Sequence, residues 1–307
     1  VLACLSNSNE LHTPLHRRSI EPLMDRYYFS DELGQVKPDQ EIFEHVIGDL
    51  GVAPRRIAFF DDTRVNVRAA REAGIEHMLC VSVSLERFPA MLQLIEPYPQ
   101  VSASVGVHPD GIDVEDPDES RLLELANHPR IVAIGETGLD YYRTEGNTEW
   151  QRERFRRHIR AARAANKPLI VHTREARDDT LRILQEERAA EVGGVLHCFT
   201  EDWDMARAAM DLNFRISFSG IVTFKNARQI KEVAQKMPAD LMLVETDSPY
   251  LAPVPKRGKS NRPAYVRYVA EHIAELRNQT LAQVAERTTE NFYQLFSGAR
   301  KIEPINQ

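Results

Sequence analysis

The sequence predicts an α/β protein built around a TIM (β/α)8 barrel. Apolar runs of strand length recur along the 307 residues, and amphipathic helical stretches separate them. Continuous runs rich in Val and Ile are typical of parallel strands that are buried on both faces. From residue 57 onward there are eight such runs. A closed barrel needs this number of strands within about 250 residues.

The eight predicted barrel strands follow one another with helical sequence between them. The segment TRVNVRAAREAGIE, residues 63–76, has the length and pattern of a helix that connects the first strand to the second. In chain order the strands are IAFF (57–60), HMLCVSV (77–83), VSASVGV (101–107), IVAIGE (131–136), PLIVH (168–172), GVLHCF (194–199), FRISFS (214–219) and LMLVET (241–246).

Residues 1–56 precede the barrel strands and contain elements of their own. VLACLS predicts a strand, and a helix is predicted around PLHRRSIEPLMDRY. A second helix, PDQEIFEHVIGDLG, begins at Pro38 and ends at Gly51, as the preferences of these residues for helix starts and stops indicate. We predict two domains, residues 1–76 and 77–307, in which residues 57–76 supply the first strand and helix of the barrel.

Composition limits the classes of protein to consider. Hydrophobic residues make up 42% and charged residues 28% of the chain, as is ordinary for a soluble globular protein. No apolar run approaches the roughly 18 residues that a membrane span needs, so no membrane partner is expected. The formal net charge of −7 gives no overall attraction for nucleic acid. Contact with DNA therefore requires a local basic patch.

Cysteine usage and the N-terminal sequence indicate a cytoplasmic protein. Cys4, Cys80 and Cys198 each lie inside or at the end of an apolar run, which indicates buried, reduced thiols and no disulfide framework. No charged segment precedes an apolar targeting stretch, so we expect no signal peptide.

Polar side chains recur at the carboxyl-terminal ends of the predicted strands. Parallel barrels place their chemistry at this end, because the loops that follow the strands converge there. Imidazole and carboxylate groups together suit Zn, Mn or Fe, and carboxylate with water suits Mg. The sequence therefore predicts one or two divalent metal ions, such as Mg, Mn or Zn. The candidate residues are His108, Glu136, Asp140, His172, His197, Glu245 and Asp247.

Six motifs resemble those of a known family. In order and spacing they resemble the TatD family of metal-dependent hydrolases over about residues 73–297. The resemblance implies a TIM barrel of the metal-dependent hydrolase type, a metal-dependent phosphodiesterase or DNase activity, often as a 3′ to 5′ exonuclease, and a cytoplasmic location. The motifs are GVHP (106–109), GETGLDYY (135–142), VHTREA (171–176), LHCFT (196–200), SFSGIVTFKN (217–226) and ETDSPYLAPVPKRGKSNRP (245–263).

The same resemblance implies roles for individual residues. Glu136 matches the carboxylate that bridges two metal ions, and His172 and His197 match the imidazole ligands of one of them. Asp247 matches the carboxylate beside the attacking water, where it accepts a proton as the water attacks phosphorus. Asp140 is expected to support the metal ligands and not to bind metal itself.

The chain departs from the TatD pattern at its first barrel strand. The family carries a His-x-His pair there, and this sequence contains none. FFDD stands in its place, so Asp61 is the candidate substitute, with shorter reach and only oxygen donors. We expect Glu136, His172 and His197 to bind one metal well. A second site that relies on Asp247, Glu136 and Asp61 is expected to be weak or empty.

Residues 1–77 resemble the C-terminal part of a haloacid dehalogenase-like phosphatase. Ser6 matches the phosphate-binding Ser or Thr of that family, Lys37 its phosphate-balancing lysine, and Asp61 with Asp62 its magnesium-binding acids. The nucleophilic DxD strand that precedes these motifs is not found, and without its aspartate no phosphoryl-enzyme forms. We therefore expect this half to be inert, with Ser6 at a strand-end turn and Lys37 as a solvated charge.

Several further residues are candidates for contact with substrate. Lys256 and Arg257 lie in the basic loop PKRGKSNRP, where they either bind phosphates or are simply solvated. Arg174 follows His172 by two positions, and it either clamps a phosphate oxygen or supports a carboxylate.

The remaining candidates have a functional and a structural interpretation. His108 is predicted to be catalytic, by orienting substrate or protonating the leaving group, and a structural hydrogen bond is the alternative. Tyr141 and Tyr142 either stack on a base or pack against the protein.

Three functions stay open on the sequence alone. The first is a metal-dependent phosphodiesterase acting on DNA or another phosphodiester substrate. The second is a haloacid dehalogenase-like phosphatase fused to a barrel, and the third is a catalytically impaired fusion. Hydrolysis of single-stranded DNA and of p-nitrophenyl phosphate, each with metal added, distinguishes them.

Overall fold

The computed structural model describes the backbone of residues 3–6 and 26–29, and residues 77–299 except 113, 143 and 145. The chain divides into two compact units, Val1–Phe60 and Asp61–Gln307.

The described part of the first unit is a pair of parallel strands. Strand β1 (Ala3–Ser6) pairs with β2 (Arg26–Phe29). The predicted strand over residues 1–6 is thus present. The helix predicted around PLHRRSIEPLMDRY is wrong at its end, because Arg26 and Tyr27 belong to β2, where the β-forming run RYYF favours a strand. The remaining predictions for this unit, including Lys37 and the helix PDQEIFEHVIGDLG, lie outside the described residues.

Seven parallel strands form one sheet in the second unit, each paired with the next in chain order. Their order and direction are those of the predicted barrel, and each coincides with a predicted strand. The predicted first strand, residues 57–60, and its helix lie outside the described residues. The strands are β3 (Met78–Cys80), β4 (Val101–Val105), β5 (Ile131–Asp140), β6 (Leu169–Arg174), β7 (Gly194–Leu196), β8 (Phe214–Phe218) and β9 (Met242–Val244).

Amphipathic helices connect these strands and cover the outside of the sheet. Helices α2 and α5 begin at the aspartate caps Asp118 and Asp202, and α8 begins at a capping box formed by Thr280 and Gln283. The helices of the described residues are α1 (Phe88–Ile95), α2 (Glu119–Ala126), α3 (Glu149–Ala165), α4 (Arg177–Glu186), α5 (Trp203–Asp211), α6 (Arg228–Lys236), α7 (Val266–Arg277) and α8 (Leu281–Leu295).

Two apolar layers lie on opposite faces of the sheet. Leu169 and Val171 of β6 belong to the layer under the helices, and Ile170 between them belongs to a second, inner layer. This alternation follows from the two-residue period of a strand. The inner layer contains strand residues together with residues in and after α8, so the C-terminal helix closes it. Its buried members are Val132, Ala133, Ile170, Val195, Leu243, Leu295, Phe296 and Ala299.

Two further expectations concern the cysteines and the membrane. Cys80 and Cys198 are free thiols, as predicted, and the side chain of Cys4 lies outside the described residues. Among the helices of the described part, none has the length and apolar character needed to cross a membrane.

Candidate active site

Three imidazoles meet one carboxylate oxygen at the carboxyl-terminal end of the sheet. Oε1 of Glu136 lies 2.7 Å from Nε2 of His197, 3.2 Å from Nδ1 of His172 and 3.3 Å from Nε2 of His108. Glu136 and His172 belong to β5 and β6, and the other two imidazoles directly follow β4 and β7. The structure thus brings together the predicted metal ligands Glu136, His172 and His197, and His108 joins them.

Strand alternation places several of these polar side chains. In β6, β7 and β9 an apolar residue of the inner layer is followed two positions later by a site residue. Side chains two positions apart face the same side of a strand. The polar groups therefore lie on the inner face, beyond the apolar layer. The pairs are Ile170 and His172, Val195 and His197, and Leu243 and Glu245.

Close approach of the backbones assembles the site. A Cβ on Gly106 would lie 2.7 Å from the Cα of Gly135, and a Cβ on Gly138 would lie 2.0 Å from the carbonyl oxygen of His172. Gly138 also has a φ of 133°, a conformation open mainly to glycine. The glycines of GVHP and GETGLD are thus needed for β4, β5 and β6 to come this close.

Each imidazole of the site uses its second nitrogen on a second carboxylate. In metal sites such outer carboxylates fix the orientation of the ring and raise the basicity of the ligand. Asp140 therefore supports His172, as the sequence predicted. The pairs are His172 Nε2 with Asp140 Oδ2 at 3.1 Å, His197 Nδ1 with Glu245 Oε1 at 3.4 Å, and His108 Nδ1 with Asp110 Oδ1.

The electrostatics of the site favour positive charge around Glu136. Burial alone raises the pKa of Glu136, but attraction to His197 and hydrogen bonds with His108 and His172 outweigh it and hold the pKa well below its usual range. Burial lowers the pKa of His197, but Glu136 and Glu245 outweigh it and raise that pKa well above the ordinary value. Glu136 is therefore ionised at neutral pH, as a metal ligand must be.

The donor set of the site fits a divalent cation. One ligand atom each from His108, Glu136 and His172 lies within 4.8 Å of the others, so a single ion can contact all three. Imidazole nitrogen and carboxylate oxygen are ligands that Zn, Mn and Fe accept. The outer carboxylates described above add the second layer of support that such sites use.

Asp247 lies in a turn after β9, in the left-handed conformation with a φ of 57°. Burial, followed by repulsion from Glu245, raises the pKa of its carboxyl group, and His197 acts in the opposite direction. A raised pKa makes a carboxylate a stronger base. The side chain of Asn261, which is buried, donates hydrogen bonds of 2.7 Å to the carbonyl oxygens of Thr246 and Tyr250 and so fixes this turn.

The predicted substrate-binding cations pack against aromatic rings. The guanidinium carbon of Arg174 lies 3.7 Å from the centre of the Tyr142 ring, and that of Arg257 lies 3.8 Å from the centre of Phe224. The ammonium group of Lys256 lies 5.8 Å from the centre of the Tyr265 ring. Cation–π contacts of this kind hold a side chain in place without neutralising its charge.

The two adjacent tyrosines have different environments. The hydroxyl of Tyr141 donates to Oδ2 of Asp179 at 2.6 Å and accepts from Nε of Arg152 at 2.9 Å. Tyr142 is 60% exposed and carries Arg174 on its ring. Of the two interpretations in the sequence, packing applies to Tyr141, and Tyr142 remains a candidate for stacking on a base.

Some functional residues were missed, and others cannot be located. Asp110 was not predicted, although its position two residues after His108 in HPD is a usable signal. His158 was also missed, because a histidine inside a helix gives no local sign of its partner. Asp61 and Asp62 lie outside the described residues, so the role of Asp61 stays a prediction.

Comparison with known families agrees with this geometry. Residues 49–297 match the family model described as TatD related DNase. Residues 1–74 match the model of haloacid dehalogenase-like hydrolases. The two matches overlap at residues 49–74, which contain the predicted first barrel strand.

Individual relatives are similar over most of their length. An uncharacterized metal-dependent hydrolase of Escherichia coli K12, YcfH, is 51% identical over 74% of this chain and 85% of its own. The 3′-5′ ssDNA/RNA exonuclease TatD of Escherichia fergusonii is 32% identical over 81% of this chain and 98% of its own.

A solved structure agrees with the fold. The crystal structure of YJJV, a TatD homolog from Escherichia coli K12, has a TM-score of 0.70 at 26% identity, covering 76% of this chain and 91% of that one. The parallel sheet of the second unit is thus part of a TIM-like barrel. The chain belongs to the family of TatD-related DNases and is a metal-dependent hydrolase.

Proposed function

We propose that this protein hydrolyses phosphodiester bonds in single strands of DNA or RNA, as a 3′ to 5′ exonuclease. The observation that carries the proposal is the set of three imidazoles around Glu136 at the carboxyl-terminal end of the barrel. The similar protein of Escherichia fergusonii, named as a 3′-5′ ssDNA/RNA exonuclease, supports the choice of substrate.

In this proposal Glu136, His172 and His197 hold the cation. When bound there, a divalent ion polarises a phosphoryl oxygen and lowers the pKa of a bound water. Asp247 accepts the proton of the attacking water, for which the raised pKa of its buried carboxyl group is suited. Arg174, held flat on Tyr142, donates hydrogen bonds to a phosphate oxygen.

Exposed apolar side chains around the site support a single-stranded substrate. The most exposed large hydrophobic residues of the described part of the chain all lie in segments that follow sheet strands. The faces of unpaired bases are apolar and stack on aromatic side chains, and this stacking tolerates any sequence. We call this set the apolar rim. It consists of Val83, Ile112, Tyr142, Tyr250 and Val254.

The distribution of paired and unpaired cations supports contact with a phosphate backbone. Among the ion pairs between described residues, none joins a carboxylate to Lys256 or Arg257. Helix α3 is also rich in arginine, but Arg156 and Arg160 are both paired with Glu187. The loop after β9 is therefore better placed to bind phosphates than the more conspicuous basic helix.

The test is hydrolysis of a single-stranded oligonucleotide by metal-depleted protein to which Mg²⁺, Mn²⁺ or Zn²⁺ is added back. We expect stepwise shortening that requires the added ion. A label at the 5′ end should give a ladder, and a label at the 3′ end should be released as a mononucleotide. Both labels are needed because only their combination establishes the direction of digestion.

Two controls give the experiment its meaning. The Glu136→Gln variant excludes a contaminating nuclease, and p-nitrophenyl phosphate tests for the phosphatase alternative. Absence of oligonucleotide hydrolysis with every added ion, in a folded protein that binds metal, would contradict the proposal.

We also propose that one cation is held tightly and a second weakly, with Asp61 as an oxygen donor to the second. Elemental analysis after dialysis should find about one ion per chain, and Asp61→Ala should weaken binding of a second added ion without changing the melting temperature. Two ions that both survive dialysis would contradict the weak second site.

A further inference from the structure

We infer that His108 is a metal ligand in this chain, and that its Nε2, an oxygen of Glu136 and Nδ1 of His172 form one cation-binding set. The inference rests on the metal dependence in the proposed function. It goes beyond the sequence, which predicts that His108 acts on substrate or the leaving group.

The first argument is the position of the imidazole. Nε2 of His108 lies 3.3 Å from the same Glu136 oxygen that faces His172 and His197. The rings of His108 and His172 are in contact, with centroids 4.7 Å apart. The chosen ligand atoms of His108, Glu136 and His172 all lie within 4.8 Å of one another. A leaving-group acid needs no such closeness to two other ligands, whereas a shared cation does.

The second argument is the hydrogen bond on the other ring nitrogen. Nδ1 of His108 is hydrogen-bonded to Oδ1 of Asp110. A carboxylate can only accept, so Nδ1 carries the hydrogen and the neutral ring presents its lone pair at Nε2, toward Glu136. This arrangement of carboxylate, imidazole and cation is the usual one for metal-bound histidine. His172 and His197 have equivalent carboxylate partners.

The third argument is the rigidity of the turn that carries His108. Its backbone N–H donates to the carbonyl of Val83 at 3.0 Å. The preceding N–H, of Val107, donates to Nε2 of the fully buried His158 at 3.1 Å. Buried Arg154 donates to the carbonyl of Gly111 at 2.7 Å. A ligand held by such supports binds metal without first being ordered.

The fourth argument is the nitrogen that the sequence lacks. The chain has no His-x-His pair, so the two imidazoles expected from the first barrel strand are missing. His108 follows β4 and approaches Glu136 with a nitrogen donor. It thereby supplies an imidazole where Asp61 offers only oxygen.

The experiment measures Mn²⁺ binding to metal-depleted protein by electron paramagnetic resonance, with electron spin echo modulation to count the coupled imidazole nitrogens. No substrate is present. We compare wild type, His108→Ala, Asp110→Asn and the control His128→Ala, which removes an exposed histidine. Circular dichroism melting confirms that each variant is folded.

We expect His108→Ala to lose one coupled imidazole and to bind Mn²⁺ at least about 10-fold more weakly. Asp110→Asn keeps the ring but removes its orienting carboxylate, so about 10-fold to 100-fold weaker binding is expected with the same number of nitrogens. His128→Ala should match wild type in both measurements. If His108→Ala does not fold, Asp110→Asn provides the deciding affinity.

The contrary result is unchanged Mn²⁺ affinity and an unchanged nitrogen count in His108→Ala. That result overturns the inference and returns His108 to substrate or the leaving group, whether or not the oligonucleotide is cleaved. Conversely, loss of one nitrogen in a protein that cleaves no oligonucleotide upholds the ligand and overturns the proposed substrate.

Discussion

The two ends of the barrel sheet differ in what their side chains do. At one end, Leu295 and Phe296, at the end of α8, close the inner apolar layer. At the other end, His172 and His197 converge on the buried Glu136. The same strands serve both ends, since the polar residue of β6, β7 and β9 stands two positions after an apolar one.

This difference teaches that stability and chemistry are separated along each strand. The apolar layer contributes burial free energy, whereas the polar end gathers charged groups whose arrangement serves binding. Changes at one end should therefore move one property and leave the other nearly untouched. Each prediction below tests this separation.

The largest effect is expected at the polar end. Glu136→Gln removes the anion that all three imidazoles face. We expect oligonucleotide hydrolysis to fall at least about 10³-fold, or about 4 kcal/mol of transition-state stabilisation, measured by single-turnover cleavage. The exposed Glu124→Gln, on α2, is the matched control and should keep full activity. Equal losses in both variants would refute a special role for Glu136.

Truncation at the apolar end should have a comparable effect on a different quantity. Phe296 is 3% exposed, and Phe296→Ala should lower the free energy of unfolding by about 3–5 kcal/mol through lost burial and a cavity. Urea unfolding followed by the fluorescence of Trp150 and Trp203 reports on this unit. Phe296→Leu should lose less. Activity per folded molecule should stay near that of wild type, and a specific loss of activity would break the separation.

Acid should weaken the support of the polar end through His158. Its Nδ1 donates to the carbonyl of Arg154 at 2.8 Å and its Nε2 accepts from Val107, so protonation would lose a hydrogen bond and bury a charge. Burial lowers the pKa of His158 from 6.5 to about 4. Because the unfolded chain takes up the proton first, stability is lost as pH falls from 6.5 to about 4, by up to about 3 kcal/mol.

The check is the slope of unfolding free energy against pH. His158→Gln should flatten that slope between pH 6.5 and about 4. Burial and Arg130 also lower the pKa of His77, at the start of β3, to about 4, so some slope should remain in the variant. An unchanged slope would mean that His158 is not a buried neutral histidine.

The smallest effect is expected at the apolar rim. Tyr142→Ala removes one stacking surface and the ring under Arg174. Binding of a single-stranded oligonucleotide should weaken about fivefold, since stacking of one base contributes about 1 kcal/mol at the low end of its range. Tyr142→Phe should bind like wild type, because the ring remains. Fluorescence anisotropy with Ca²⁺ in place of the catalytic ion measures binding alone, and equal weakening in both variants would argue against stacking.

Much of the fold was predictable because its signals are local. The run LIVH contains both the apolar inner-layer residue Ile170 and the site residue His172, and the two-residue period assigns them to one face. The glycines of GVHP and GETGLD are likewise visible in the sequence. The end of the helix predicted before β2 was wrong because tertiary pairing overrode a helical pattern at Arg26 and Tyr27.

The sequence by itself determined the order of strands and helices and the ring of acids and imidazoles at the strand ends, since both depend on periodicity within short segments. Only the tertiary structure decided that His108 faces Glu136, that Tyr141 is tied to Asp179, and that the arginines of α3 are paired while Arg257 has no described carboxylate partner. These facts depend on distances between residues far apart in the chain. Such distances are set by strand register, backbone approach and loop packing, which no local pattern encodes.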